Sequence, residues 1–317
     1  MQRINAHRGR WGYDRQFRTW DEIETEYKKV FTDTYWPDIK DKLTELLRVA
    51  DPKYHVIINR CITDTPKWIT AKPLELSLVK KYVDDSFSDW KETVHTDFRK
   101  ALNDAYGYKH DKLLFLAKML NVKTCPYCNM HYTLYAEEYV TKRAIHKMAK
   151  FQFDHFYPQA IYPMLSMCMY NLIPSCASCN QGKSKGDVGL DFNPYHSAIS
   201  DLFKFRVKDP LPLLIGKDDE MLDIQLVPNG TADIESFDQK FHIKALYSRH
   251  KDMAREVFAK AYVDAYYGYL ANFEFLEDQR LAERITKGFY PGKDEIEKRP
   301  MTKFQQDLWE QAKGVIN

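Results

Sequence analysis

The chain has 317 residues and a mass of 37.5 kDa, with 47 Lys and Arg against 45 Asp and Glu for a net charge of +2. That length suggests about two domains and a hydrophobic core large enough to need no disulfide framework. The near-neutral balance excludes a polycation that coats nucleic acid by charge alone, and 44% hydrophobic content with 14% aromatic excludes an acidic disordered chain.

The chain opens with Arg3, Arg8, Arg10, Arg15 and Arg18 against one acid, Asp14, with Trp11, Tyr13 and Phe17 between them. This stretch reads either as a solvated tail or as a contact for nucleic acid or a partner, since guanidinium pairs with phosphate and aromatic rings stack on bases. It has no apolar core followed by a small-residue cleavage site, and no window of the chain approaches about 18 consecutive apolar residues. The expectation is a cytoplasmic protein with no membrane partner. In that compartment thiols stay reduced, and paired cysteines bind metal more often than they form disulfides. The phosphate-cradling patterns G-x-G-x-x-G and G-x-x-x-x-G-K-[ST] are absent.

From about Trp20 to Val49 the residues Ile23, Tyr27, Val30 and Phe31 recur at helical steps, and Pro37 interrupts or restarts the helix. Asp51-Pro52 closes this stretch, and further helices are predicted at roughly 75–92 and 95–120. Cys61 stands alone and reads as a buried small hydrophobe. The texture changes between Cys125 and His196, where short β-branched and aromatic runs, turn residues and five of the six cysteines lie. The segment Lys142–Lys150 holds Lys142, Arg143, Lys147 and Lys150 without an acid, and reads as a solvated helix face or as a track for a nucleic-acid backbone. Later, Phe203–Val207 and Leu222–Val227 predict strands, with a turn at Pro228-Asn229-Gly230. One long helix, or two in succession, is predicted from about Phe237 to Phe275, with Phe241, Ala245, Tyr247, Val257, Ala261 and Tyr266 as its core stripe.

Two C-x-x-C pairs stand out: Cys125-Pro-Tyr-Cys128 and Cys176-Ala-Ser-Cys179. Six cysteines scattered at random would give about 0.1 such pairs. The spacing lets both thiolates of a turn reach one tetrahedral Zn²⁺, and four thiolates close the coordination sphere, so the ion would be structural. A redox dithiol at Cys125 and Cys128 is the alternative, but it leaves the second pair unexplained. Cys168 falls outside the ligand pattern and reads as packing. The 47 residues between the pairs exceed a simple zinc ribbon, so something sizeable is inserted in the clamp.

That insert holds Phe151-Gln152-Phe153-Asp154-His155, an alternating short strand followed by Phe156-Tyr157-Pro158, then Tyr170-Asn171-Leu172-Ile173-Pro174; directly after Cys179 comes Asn180, with Lys183 and Lys185 beyond it. The order D-H-x-x-P, N-L, C-x-x-C-N-x-x-K resembles the HNH, or His-Me finger (ββα-metal), nucleases that carry a zinc clamp. It covers about Cys125 to Gly186, a fifth of the chain. The resemblance implies catalytic roles for His155, Asp154, Asn171 and Asn180. His155 is the general base, Asp154 and Asn180 are oxygen ligands for catalytic Mg²⁺ or Mn²⁺, and Asn171 buttresses the loop that holds His155. Such roles suit the chemistry: a neutral imidazole takes a proton from water near pH 7, and carboxylate and carbonyl oxygens suit a hard cation. The family's last position is sometimes a histidine, and here it is Asn180. Lys183 and Lys185, with Lys147 and Lys150, are candidate phosphate contacts. The structural alternatives are a loop cap for Asp154, a helix cap for Asn180, a turn for Asn171 and solvated lysines. Strand alternation would point Asp154 and His155 to opposite sides unless the strand bends there, as the resemblance implies.

The wider chain, through Cys125-Pro-Tyr-Cys128-Asn129, the Asp154–Pro158 run, Tyr170–Asn180 and Tyr247-Ser-Arg-His250-Lys251, also resembles more loosely the PtuB-type nuclease subunits of Septu and retron anti-phage systems. That likeness implies an ATPase partner subunit, with the N-terminal helices as docking elements. The expected fold is α+β: a mainly helical chain carrying a zinc-stabilised ββα finger in its middle. It divides into residues 1–120, a finger at 121–196, and 197–317 with a small β segment and C-terminal helices. The expected activity is metal-dependent hydrolysis of phosphodiesters, DNA first, with RNA or tRNA as another substrate. A zinc-stabilised module that binds nucleic acid or protein without cutting is the competing function.

Overall fold

The computed structural model describes residues 19–86, 94–107, 113–139, 145–181, 192–197, 201–210, 222–231, 233–267, 284, 287–289 and 292–316. Helix α1 (Trp20–Val30) starts at a capping box: Glu22 N donates to Thr19 Oγ1 at 3.2 Å and Thr19 N donates to Glu22 Oε2 at 2.9 Å. A π-helical turn (Phe31–Tyr35) joins it to α2 (Trp36–Val49), so the chain does not break at Pro37. Pro37 has no N–H to continue the α ladder; the wider turn before it absorbs that loss, and proline sits well at the second position of α2.

Helix α3 (His55–Trp68) was not foreseen from the pattern, whereas α4 (Pro73–Ser86), α5 (Val94–Gly107) and α6 (Leu114–Leu120) fall near the predicted helical stretches. Cys61, on α3, and Cys168 are both buried, as their isolation suggested.

Three antiparallel strand pairs follow among the described residues. Strand β1 (Tyr135–Tyr139) pairs with β2 (Ile145–Ala149), which corrects the helical reading of the basic segment there. Strand β3 (Gln152–His155) pairs with β4 (Leu172–Ser175), and α7 (Ala177–Gln181) follows directly and packs back on β3. Strand β5 (Phe203–Val207) pairs with β6 (Ile224–Pro228), close to the predicted spans, and the turn after β6 places Gly230 at φ 69°.

The predicted long C-terminal helix is instead three pieces: α8 (Ile234–Phe241), α9 (Ile243–Tyr247) and α10 (Lys251–Tyr267). His242, left-handed at φ 52°, turns the chain between the first two. Of the expected stripe, Phe241, Tyr247, Val257 and Ala261 are buried, but Ala245 is exposed, since the left-handed turn at His242 breaks the phase of a single helix; the side chain of Tyr266 lies outside the described residues. Helix α11 (Thr302–Ile316) covers the free edge of β5. Asp307 accepts from Phe205 N at 2.8 Å, while Gln311 accepts from Val207 N at 2.8 Å and donates to Val207 O at 2.7 Å. One core runs from Ile23 through the cysteines to Ala312, so α+β describes the architecture. Among the described residues no helix is long and apolar enough to cross a membrane.

Candidate functional site

Residues 122–133 form a tight knuckle. Thr133 N donates to Lys123 O and Cys125 N to His131 O, each at 2.9 Å, and Asn129 N closes the turn on Cys125 O at 2.8 Å. Asn129 adopts φ 51°, a left-handed position that asparagine tolerates better than most side chains. Both sulfurs of the knuckle thereby point inward. Cys176 stands at the end of β4, and Asn180 N donates to its carbonyl at 3.0 Å, so the second pair spans the first turn of α7.

The four cysteines are buried and their sulfurs lie within 4.8 Å of one another. A tetrahedral ZnS₄ centre with Zn–S near 2.3 Å has S···S edges of about 3.8 Å. The sulfurs of Cys128 and Cys176 stand 3.9 Å apart, so the donor set fits a zinc site in both chemistry and spacing. Met130 N points at Cys128 Sγ at 3.4 Å and His131 Nδ1 lies 3.8 Å from it, two groups that suit a thiolate. Hydrogen bonds among the sulfurs, that with Cys125 first, hold Cys128 well below the ordinary thiol range, and they bring Cys176 down to about 7; burial pushes Cys125 up. The Cys128 contact raises His131 to about 9.

The strand next to this centre carries the predicted acid and base. Asp154 is opposite Ile173 and His155 opposite Leu172, so both stay in the ladder and the strand does not bend away at this step. Their partners accordingly lie on different elements. Asp154 is buried and accepts from the Tyr127 hydroxyl at 2.7 Å. Burial first, and then the charge of Asp154, push the Tyr127 phenol well above its ordinary value. His155 is half-buried with Nε2 3.0 Å from Ser166 O. Since a carbonyl only accepts, Nε2 carries a proton in this contact.

Asn171 is fully buried and knits the loop after His155. Its Oδ1 accepts from Tyr157 N at 2.7 Å, its Nδ2 donates to Leu165 O at 2.9 Å, and its carbonyl accepts from Phe156 N at 2.9 Å. The same loop is anchored on the N-terminal helices. Tyr27 donates to Met167 O at 2.6 Å, Met169 N to Ile69 O at 2.8 Å, Tyr162 to Asp84 Oδ1 at 2.7 Å, and the Tyr170 hydroxyl to Glu24. Asn180 Nδ2 donates to Gln152 Oε1 at 2.6 Å, which places it on the side of β3 shared by Gln152 and Asp154.

Lys147 on β2 and Lys150 just before β3 are exposed, and Lys147 faces Glu137 across the β1–β2 ladder, where Lys118 also bonds Glu137 at 3.1 Å. Lys183 and Lys185 lie outside the described residues, as do Lys142, Arg143 and the arginines from Arg3 to Arg18. Motif spacing does not point to Tyr127, Gln152 or the Ser166 carbonyl. Only Gln152 had a signal, its position two residues before Asp154 on one strand face. Comparison with protein-family models, with curated proteins and with solved structures returns no match.

Proposed function

We propose that this chain is a metal-dependent endonuclease of the HNH type that hydrolyses phosphodiester bonds in DNA. The observation that carries the reading is the assembly of strand, strand and short helix around one pair of adjacent residues, Asp154 and His155, with the four-sulfur site holding the helix end. His155, its ring held by the contact of Nε2 with Ser166 O, is the base that takes a proton from the attacking water. Asn171 keeps that loop in register through its amide bonds. Asp154 and the Oδ1 of Asn180 are the hard-oxygen donors for a divalent cation; Asn180 uses its Nδ2 on Gln152, which turns the amide oxygen outward from that bond. Bound Mg²⁺ or Mn²⁺ supplies positive charge for the phosphate and the leaving 3′-oxygen. Lys147, Lys150, Lys183 and Lys185 would track the backbone. By the looser resemblance, the chain is the nuclease of a bacterial anti-phage complex, acts in the cytoplasm and is governed by an ATPase partner.

The test is plasmid cleavage in Mg²⁺ or Mn²⁺ by wild type and by His155→Ala. Cleavage should fall about 10²–10⁴-fold in the variant while zinc content and melting temperature stay put. Undiminished cleavage would overturn the mechanism. The burial of Asp154 against Tyr127 favours a second reading, a zinc-stabilised binding module whose Asp-His step is structural. That reading expects nucleic-acid or protein binding with no cleavage by wild type. Offering DNA and RNA side by side separates the substrates.

A further inference from the structure

Tyr127 lies between the two cysteines of the knuckle, yet its hydroxyl ends on an acid of β3, 2.7 Å from Asp154 Oδ2. Both groups are shut off from water, Tyr127 at 0% exposure and Asp154 at 3%. The ring cannot drift. It stacks on Phe241 with centroids 4.6 Å apart and planes 21° apart, and the main chain beside it is pinned where the Tyr247 hydroxyl donates to Cys128 O at 2.6 Å. The phenol is therefore a rigid rod running from the four-sulfur site to β3.

A carboxylate's terminal torsion is broad, so an aspartate left to itself samples many oxygen directions. A hard divalent cation accepts only a few of them. A hydrogen bond from a fixed donor narrows those directions, and one phenol O–H takes up only one of a carboxylate's roughly four lone-pair sites. We propose that Tyr127 is a positioning residue for the divalent cation: it fixes the Asp154 carboxylate and so makes the cation site depend on the integrity of the cysteine knuckle. This rests on the reading of Asp154 as a cation ligand given above.

The experiment uses full-length, zinc-loaded protein and Mn²⁺ alone, with free Mn²⁺ counted by its electron-spin resonance signal at pH 7.5. Asp154→Asn, which keeps an acceptor for the phenol, should abolish the binding. Tyr127→Phe, which keeps the stack on Phe241, should weaken Mn²⁺ binding about tenfold or more at unchanged zinc content, the usual scale for losing a hydrogen-bond partner of a metal ligand. Phe241→Leu leaves the hydroxyl in place but loosens the ring, and should weaken binding by a smaller factor. A tyrosine that only filled space would lower the melting temperature and leave Mn²⁺ affinity untouched. If Asp154→Asn loses Mn²⁺ while Tyr127→Phe and Phe241→Leu both bind like wild type, the positioning role is overturned and the nuclease reading stands. If Asp154→Asn binds Mn²⁺ like wild type, or wild type binds none, the cation role of Asp154 falls and the positioning role falls with it.

Discussion

The two halves of the cysteine clamp are built in different ways. The Cys125–Cys128 knuckle is bolted into the fold from several sides. The Asn129 amide donates to Thr124 Oγ1 at 3.1 Å and to Ile296 O at 3.0 Å, and its Oδ1 accepts from Lys303 N at 3.1 Å. The Asn129 carbonyl also accepts from Met301 N at 2.7 Å. The Cys176–Cys179 half rides on α7, a helix of five residues with Ala177 and Ser178 exposed. So short a helix cannot hold itself in water. On one side the core places the sulfurs, and on the other a metal would place the helix. If so, the metal's stabilisation falls unevenly across the site.

Stripping the metal with a chelator should separate the two halves of the clamp most strongly. Structural zinc contributes on the order of 10 kcal/mol to the apparent folding of small zinc modules, and here most of that should fall on α7 and β4. Amide exchange followed by mass spectrometry should speed up about 100-fold or more over residues 172–181, while the amides of 124–133 keep most of their protection. Equal loss in both halves would show that the bolts around Asn129 do not hold the knuckle by themselves.

Asn129→Ala attacks the other half. It strands two buried acceptors and one buried donor and puts a residue with less tolerance for φ 51° into the turn, which together should cost about 3–5 kcal/mol in urea unfolding of the zinc-loaded protein. A cost under about 1 kcal/mol would mean that the C-terminal segment merely rests against the knuckle. Removing α11 should have the same sign, because Lys303 N and the Met301 approach leave with it.

What could be read in advance divides along the same line. Ligand spacing is local chemistry, so Cys125, Cys128, Cys176 and Cys179 were legible as one site from two short motifs. The pairings that make the knuckle rigid join residues far apart in the chain: Tyr127 with Asp154 across 27 positions and Asn129 with Lys303 across 174. No pattern announces such a contact. Helix α3 carries no clear signal because Asn59, Thr63, Asp64, Thr65 and Pro66 are poor helix formers, and the burial of Ile57, Ile58 and Cys61 holds it as a helix. The break at His242 was hidden for the opposite reason, since neither glycine nor proline marks that left-handed turn. The basic run before β3 reads by composition as a helix face or a nucleic-acid track, and over Ile145–Ala149 cross-strand pairing with residues such as Glu137 makes it a strand.

Asn180→Ala should give the smallest change in stability and the sharpest contrast with Asn129. Its amide donates to Gln152 Oε1 at 2.6 Å, at a half-buried site where water can take over the freed oxygen. The expected cost is about 0.5–1 kcal/mol. Stability is only half of the measurement, because Asn180 is also the second oxygen donor assigned to the cation. If that assignment holds, the variant melts almost like wild type yet binds Mn²⁺ at least about tenfold more weakly; if Asn180 is only a helix residue tied to Gln152, both quantities stay close to wild type. The pair of asparagines thus compares a side chain that ties the fold together with one to which the proposed function assigns a cation.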